Sequence, residues 1–282
     1  MLASTGDLVA AARASGGAVG AFNVITIEHA EAIVAGAESA RLPVILQISE
    51  NAVRFHHGRL APIAAAARAI AASASVPVAL HLDHVESDEL LAEAVINGFG
   101  SVMYDASRLP YAANVGATAS AVKRCHAQGL WVESELGEIG GKGGAHAKGA
   151  RTDPAEAAAF VTATGVDALA VAVGSSHAMV TRSARLDHDL IARLAAAVPV
   201  PLVLHGSSGV PDDELTRAVH GGMAKINIGT ALNTAFTGTV RAALGTHPDL
   251  VDPRRYLASA RTAMAETVTT ALQVLRSGVL PA

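Results

Sequence analysis

Eight times along this chain a short apolar run suited to a pleated strand gives way to an alanine-rich stretch suited to a helix, with no linker or low-complexity break between units. Strand candidates fall at 18–23, 43–49, 76–83, 101–105, 130–135, 168–174, 201–205 and 224–228. A helix candidate follows each in turn, at 28–40, 60–73, 88–97, 112–128, 154–164, 187–197, 212–220 and 230–244. Strands buried on both faces read as continuous apolar runs, and a series of strand–helix units implies a parallel sheet. Eight such units are the pattern of an α/β fold closed into a (β/α)8, or TIM, barrel, with an open doubly wound sheet as the lesser alternative. The stretch 252–277 reads as an extra C-terminal helix, and residues 1–282 are expected to form a single (β/α)8 barrel domain. Thr152-Asp-Pro-Ala-Glu156 supplies a cap, a proline at the first turn and an early glutamate for one helix start.

Hydrophobic residues make up 51% of the chain but aromatics only 3%. The interior must therefore be filled by Ala, Val, Leu and Ile, which suits helices packed on a parallel sheet better than an aromatic-rich sandwich. A net charge of −4 without a basic run argues against a nucleic-acid partner. The stretch 60–82 comes nearest to a membrane span, but Pro62, Arg68 and Pro77 interrupt it, so no membrane partner is expected. Cys125 is the single cysteine, which excludes an intrachain disulfide and any multi-cysteine metal site. Its helical surroundings point to an inert thiol. Met1-Leu-Ala-Ser-Thr-Gly-Asp7 lacks the basic start and apolar core of a signal peptide, so a cytoplasmic location is expected.

Active sites of such barrels sit on the loops at the C-terminal strand ends. Those ends carry Asn23, Ser49, Asp83-His84, Asp105-Ala-Ser107, Glu133 and Glu135, Gly174-Ser-Ser-His177, His205-Gly-Ser-Ser-Gly209 and Asn227-Ile-Gly-Thr230. Neighbours on a strand point to opposite sides, so Asp83 and His84 can serve one site only if the strand bends at its end. His84, His177 and His205 follow three separate strands. Any one of them could simply cap a strand end, but three imidazoles at one level of a barrel can hold Zn²⁺ with a coordination position left open. The other nine histidines, including the His56-His57 pair and His188, are expected to be surface or packing residues. Glu133 and Glu135 project to the same side of their strand among apolar neighbours, so a cation is expected near at least one of them: the metal, a second ion, or a salt-bridge partner inside the barrel. The loops after the seventh and eighth strands are the usual phosphate-binding pair of a barrel. Here Gly206-Ser-Ser-Gly209 allows close backbone approach, and 227–230 leads into a helix whose first N–H groups can receive an anion.

In combination and order these residues resemble the class II, metal-dependent fructose-bisphosphate and tagatose-bisphosphate aldolases. The resemblance runs from Gly20-Ala-Phe-Asn-Val24 to Asp252-Pro-Arg-Arg-Tyr-Leu257. Leu80-His-Leu-Asp-His84, Val132-Glu-Ser-Glu-Leu-Gly137, Gly174-Ser-Ser-His177, Leu204-His-Gly-Ser-Ser-Gly209 and Lys225-Ile-Asn-Ile228 carry it. It implies that His84, His177 and His205 are zinc ligands, that Asp83 is the catalytic acid/base, and that Glu135 lies near the metal at a second or alternate ion position. It implies Gly174, Gly206, Ser207, Asn227 and Thr230 around the phosphate of a dihydroxyacetone-phosphate half, with Asn23 and Ser49 lining the substrate. Arg182 would stand in for a phosphate-facing lysine, and Arg254 would reach across a subunit contact toward a second phosphate. A monovalent cation (Na⁺ or K⁺) near the phosphate loops and a homodimer or homotetramer are further implications.

The implied reaction is reversible cleavage of fructose or tagatose 1,6-bisphosphate to dihydroxyacetone phosphate and glyceraldehyde 3-phosphate. Two departures bear on the substrate. Gly140-Gly-Lys-Gly-Gly-Ala-His-Ala-Lys-Gly-Ala-Arg151 has no carboxylate where the family has an acidic loop, which leaves proton exchange at C3 to Glu138, His146, water or another group. Ala178-Met-Val-Thr-Arg182 places its cation one position out of register with the family lysine. A different ketose 1-phosphate is therefore the alternative substrate, a metallohydrolase using the same three histidines is a rival among enzymes, and a catalytically lapsed phosphosugar-binding barrel is the alternative from another class.

Overall fold

The computed structural model describes residues 1–136 and 151–276. Eight parallel strands close into a barrel in sequence order: β1 (Val19–Asn23), β2 (Val44–Ser49), β3 (Val78–Val85), β4 (Ser101–Tyr104), β5 (Trp131–Glu135), β6 (Ala168–Ala170), β7 (Leu202–Leu204) and β8 (Met223–Ile228). Around and below them lie α1 (Thr5–Ala14), α2 (Ile27–Ala40), α3 (Glu50–Phe55), α4 (Leu60–Ser73), α5 (Asp88–Glu93), α6 (Tyr111–His126), α7 (Pro154–Thr164), α8 (His188–Ala197), α9 (Asp212–His220), α10 (Thr230–Thr246) and α11 (Pro253–Arg276). The TIM-barrel expectation and the additional C-terminal helix are both met. Among the described residues no helix is long and apolar enough to cross a membrane.

Several boundaries follow from local chemistry. Asp153 accepts hydrogen bonds from the Ala155 and Glu156 amides at 2.9 and 3.0 Å, with Pro154 opening α7. β3 runs past its expected end at Asp83 to Val85, whereas β6 stops at Ala170, short of the expected 174. Two helices were not anticipated. α3 is a short turn whose capping residue is Ser49, the Oγ of which accepts from the Ala52 amide at 3.2 Å. α1, capped by Ser4, packs Leu8 and Val9 against Val19, Ala21, Ile45, Ala79 and Ala224 and so closes the N-terminal end of the barrel.

Above this apolar floor the interior turns polar. The pleat sends residues i and i+2 to the same face, so Gln47 and Ser49, His81 and Asp83, Glu133 and Glu135, and Lys225 and Asn227 form successive levels. The register aligns Gln47 with His81 and Ser49 with Asp83. Outside, α11 lies along α2 and α10 and buries Ala260, Met264, Val268, Leu272 and Leu275. Cys125 is free and buried, and burial pushes its thiol up to about 11, in keeping with an inert role.

Candidate active site

Asp83 and His84 reach one cavity because β3 is deformed between them. The His84 backbone sits in the left-handed region at φ 51°, and the β3–β4 register shifts between Leu82 and Val85. One residue is thereby bulged out of the ladder, which cancels the alternation that would separate the two side chains. A non-glycine residue held there costs roughly 1–2 kcal/mol. The bend required for a shared site is present.

The three strand-end histidines converge. Ring centroids are 4.8 Å apart for His84–His205, 5.5 Å for His84–His177 and 5.8 Å for His177–His205. One nitrogen from each lies within 4.8 Å of the others. His205 is fully buried, and its Nε2 lies 2.8 Å from Glu133 Oε1, so Nδ1 is the nitrogen offered to the cluster. That Nδ1 has no hydrogen-bond partner among the described residues. His84 Nδ1 lies 2.9 Å from Asp105 Oδ2, while Asp105 Oδ1 accepts from Ser107 Oγ at 2.6 Å. Two of the three rings are thus aimed by carboxylates, the usual arrangement behind metal-ligating imidazoles. Gly206 brings the loop of His205 against that of His177: its φ is 66°, and a Cβ there would meet the Ser176 carbonyl carbon at 2.5 Å. A buried nitrogen without a partner, facing two further imidazoles, fits a divalent ion that takes nitrogen ligands. An overlapping second set, His84, Asp105 and Glu135, also brings its ligand atoms within 4.8 Å of one another.

Burial dominates the electrostatics. It lowers the His205 pKa despite the opposing bond to Glu133, so the ring is neutral near pH 7 with a lone pair to give. Burial also opposes ionisation of Asp83, but His84, His205, Lys225 and His81 together bring its carboxyl below the ordinary value, leaving an ionised base. Glu133 behaves likewise: burial works against its charge, and Lys225 first, then His205, outweigh it.

Asn23, Ser49, Asp83, His84, His177, Gly206, Ser207, Asn227 and Thr230 line one cavity of about 680 Å³. His205 and Glu135 are fully buried and lie outside its lining. Ser207 Oγ donates to the Leu204 carbonyl at 3.1 Å, and the Ala231 amide in the first turn of α10 donates to Ser208 Oγ at 3.0 Å. Two residues expected at the phosphate, Gly174 and Arg182, do not line the cavity, and Arg254, expected to reach across a subunit contact, lies at the surface. Gly174 packs against the Arg185 carbonyl. Arg182, one position out of register, donates to the Val210 carbonyl at 3.0 and 2.7 Å and pairs with Asp212, away from the cavity lining. Arg254 is exposed and pairs with Asp252 at 2.8 Å. The loop expectations at Glu138 and His146 lie outside the described residues.

Four residues carry more of the site than their sequence context revealed. Asp105 and Glu133 orient His84 and His205, and Lys225 is the cation expected beside the paired glutamates, at 2.7 Å from Glu133 Oε2. His81, one of the nine histidines assigned to surface or packing, is fully buried directly below Asp83. Its Nδ1 lies 2.9 Å from Ser101 Oγ, and its Nε2 is 3.9 Å from both Asp83 Oδ1 and Glu133 Oε2. The period-two spacing of His81 and Asp83 is the signal that could have placed it inside.

Comparison with known proteins bears on this geometry. The family described as fructose-bisphosphate aldolase class-II matches residues 3–278. A fructose-bisphosphate aldolase of Thermus caldophilus is 39% identical over 304 residues, covering 98% of this chain and 99% of its own. Among solved structures, the YdjI aldolase from Escherichia coli K12 is similar with a TM-score of 0.85 at 32% identity, over 98% of this chain and 97% of that one. A fructose-bisphosphate aldolase from Campylobacter jejuni shares the fold, with a TM-score of 0.80 at 24% identity over 97% of this chain and 95% of its own.

Proposed function

Because the chain belongs to the class-II fructose-bisphosphate aldolase family, we propose that it is a zinc-dependent aldehyde-lyase whose 1–282 barrel reversibly cleaves fructose or tagatose 1,6-bisphosphate to dihydroxyacetone phosphate and glyceraldehyde 3-phosphate. The observation that carries this reading is the buried Nδ1 of His205, without a hydrogen bond among the described residues and 3.7 Å from Glu135 Oε2, turned toward His84 and His177 by the bond from the other side of its ring to Glu133. These three imidazoles would hold the zinc ion, with Glu135 beside His84 and Asp105 as part of an alternate position. Zinc bound there supplies Lewis-acid polarisation of the ketose carbonyl.

The chain's own groups do the rest. Asp83, ionised and facing the cavity, takes the proton from the C4 hydroxyl as the C3–C4 bond breaks and returns it in condensation. Gly206, Ser207, Asn227 and Thr230 anchor the phosphate of the triose half, and Asn23 and Ser49 line the remainder of the substrate. Lys225 is already engaged by Glu133 and Asn227, so it is not offered as a Schiff-base nucleophile. Family membership supports three further parts of the reading: a monovalent cation (Na⁺ or K⁺) near the phosphate loops, assembly as a homodimer or homotetramer, and work in the cytoplasm on a small phosphosugar without nucleic acid or membrane.

A second reading, cleavage of a different ketose 1-phosphate, is favoured by one observation. The described arginines lining the cavity meet two carboxylates: Arg54 pairs with Glu50 at 2.5 Å, and Arg54 and Arg108 flank Glu86 at 4.0 and 3.8 Å, a charge-balanced mouth suited to an unphosphorylated far end. A coupled assay for triose release across a panel of ketose phosphates, with and without chelator, tests both. The expected result is chelator-sensitive cleavage, with the highest kcat/KM on a 1,6-bisphosphate. Turnover that survives complete zinc removal would overturn the metal role, and release of inorganic phosphate without triose would point to a hydrolase.

A further inference from the structure

Lys225 takes no part in lining the cavity, yet two groups of the site depend on it. It is fully buried on β8, and its Nζ donates to Glu133 Oε2 at 2.7 Å and to Asn227 Oδ1 at 2.8 Å. Each acceptor passes an orientation onward. Glu133 uses its other oxygen, Oε1, at 2.8 Å from His205 Nε2. An ionised carboxylate can only accept, so Nε2 carries the ring proton and Nδ1 the lone pair. Asn227 has an acceptor and a donor end, and an ammonium on Oδ1 forces the amide group the other way round. Its Nδ2 is buried without a hydrogen-bond partner among the described residues, and Asn227 lines the cavity.

We propose that Lys225 is a positioning residue for both halves of the site: through Glu133 it fixes the tautomer in which His205 can ligate an ion, and through Asn227 it turns an N–H donor toward the substrate. The inference rests on the zinc-aldolase reading given above and adds to it a single buried cation that couples ligand readiness to substrate anchoring. A purely structural ion pair would need only the contact with Glu133. The second bond, to an amide whose donor end is unsatisfied, is what sets this lysine apart.

The test compares the parent protein with Lys225→Met and with the double variant Lys225→Met/Glu133→Gln. Zinc affinity is read by competition with a chromogenic chelator, and KM and kcat are read separately on the preferred ketose phosphate. In Lys225→Met, zinc should bind roughly 10- to 100-fold more weakly, the range for lost outer-shell partners. KM should rise about tenfold, as for one lost aligned hydrogen bond. In the double variant a neutral amide oxygen can still accept from His205 Nε2, so zinc affinity should recover to within about threefold of the parent. Its KM should stay high, because nothing restores the hold on Asn227.

The double variant also lacks the uncompensated buried charge, and its result stands if the single variant fails to fold. Zinc affinity and KM both within about twofold of the parent in either folded variant would overturn the inference. So would a double variant whose KM recovers together with its zinc affinity. A parent protein that binds zinc and loses activity to chelator keeps the underlying reading intact whatever the variants do. A parent that turns over without zinc removes that reading, and the inference with it.

Discussion

Asp83 owes its expected role to its neighbours as much as to its own carboxyl. It is nearly fully buried, which opposes its charge, and His84, His205, Lys225 and His81 outweigh that burial and hold the carboxyl below its ordinary value. Asp83→Ala should retain zinc and lose cleavage by roughly two to four orders of magnitude, the usual worth of a positioned acid/base, as measured by triose release on metal-loaded protein. His81 gives a pH dependence. Burial, reinforced by the Lys225 charge, pushes its pKa from 6.5 down to about 3. Between those values the unfolded chain binds a proton that the folded chain refuses, so stability is full above about pH 6.5 and falls on acidification. This one group contributes a slope of up to about 1.4 kcal/mol per pH unit in metal-stripped protein. Asp83 and Glu133, held low, act in the same sense at lower pH, being stabilising when ionised and lost on protonation. Denaturant titrations at stepped pH should show a shallower slope between about pH 6.5 and 5 in His81→Gln, and an unchanged slope would refute the assignment. The candidate ligands were legible in the sequence because each stands where an apolar run stops. Asp105, Glu133 and Lys225 were less so in their roles, because hydrogen bonds between strands far apart in the chain depend on register, which no single strand encodes.

Where a strand or helix carried its own punctuation, its limits could be read. α4, α7 and α9 begin and end at the expected residues, and α7 has Asp153 and Pro154 to mark its start. α3 was invisible because six residues span fewer than two turns, too few to show a repeating apolar face, and α1 because its apolar face is little more than Leu8 and Val9. The C-terminal helix could be foreseen, but not what it lies on. Its seat on α2 depends on Gly36, where an added Cβ would meet the Ala265 carbonyl oxygen at 2.5 Å and Val268 Cβ at 2.7 Å. Alanine favours a helix interior over glycine by about 1 kcal/mol. The clash involves backbone and should outweigh that gain, so Gly36→Ala should destabilise by about 1–3 kcal/mol net. Thermal unfolding would measure the loss, with zinc affinity unchanged; a stabilised variant would mean that α2 and α11 can part at little cost.

Across the whole barrel, a dry floor supports two polar levels and then an open cavity. The eightfold alternation of the chain made the enclosure predictable, but not the population of its interior by Gln47, His81, Glu133 and Lys225. An ion held by the three histidines, as proposed, would tie β3 to the loops after β6 and β7, so its removal should loosen the assembly as a unit. At a free zinc concentration 100 times Kd, the gain for the stripped protein is about 2.7 kcal/mol. A rise in melting temperature on adding zinc should therefore appear in the parent and vanish in His205→Ala, which should also lose turnover. An equal rise in both would place the ion elsewhere. α1 also has a consequence for traffic. With Leu8 and Val9 stoppering one end, and Thr5 Oγ1 latched to Ser101 Oγ at 2.6 Å, the described residues leave the vessel one doorway. Whatever arrives whole must depart in pieces by the path it came in, so each fragment has to clear the threshold before the next guest can be seated.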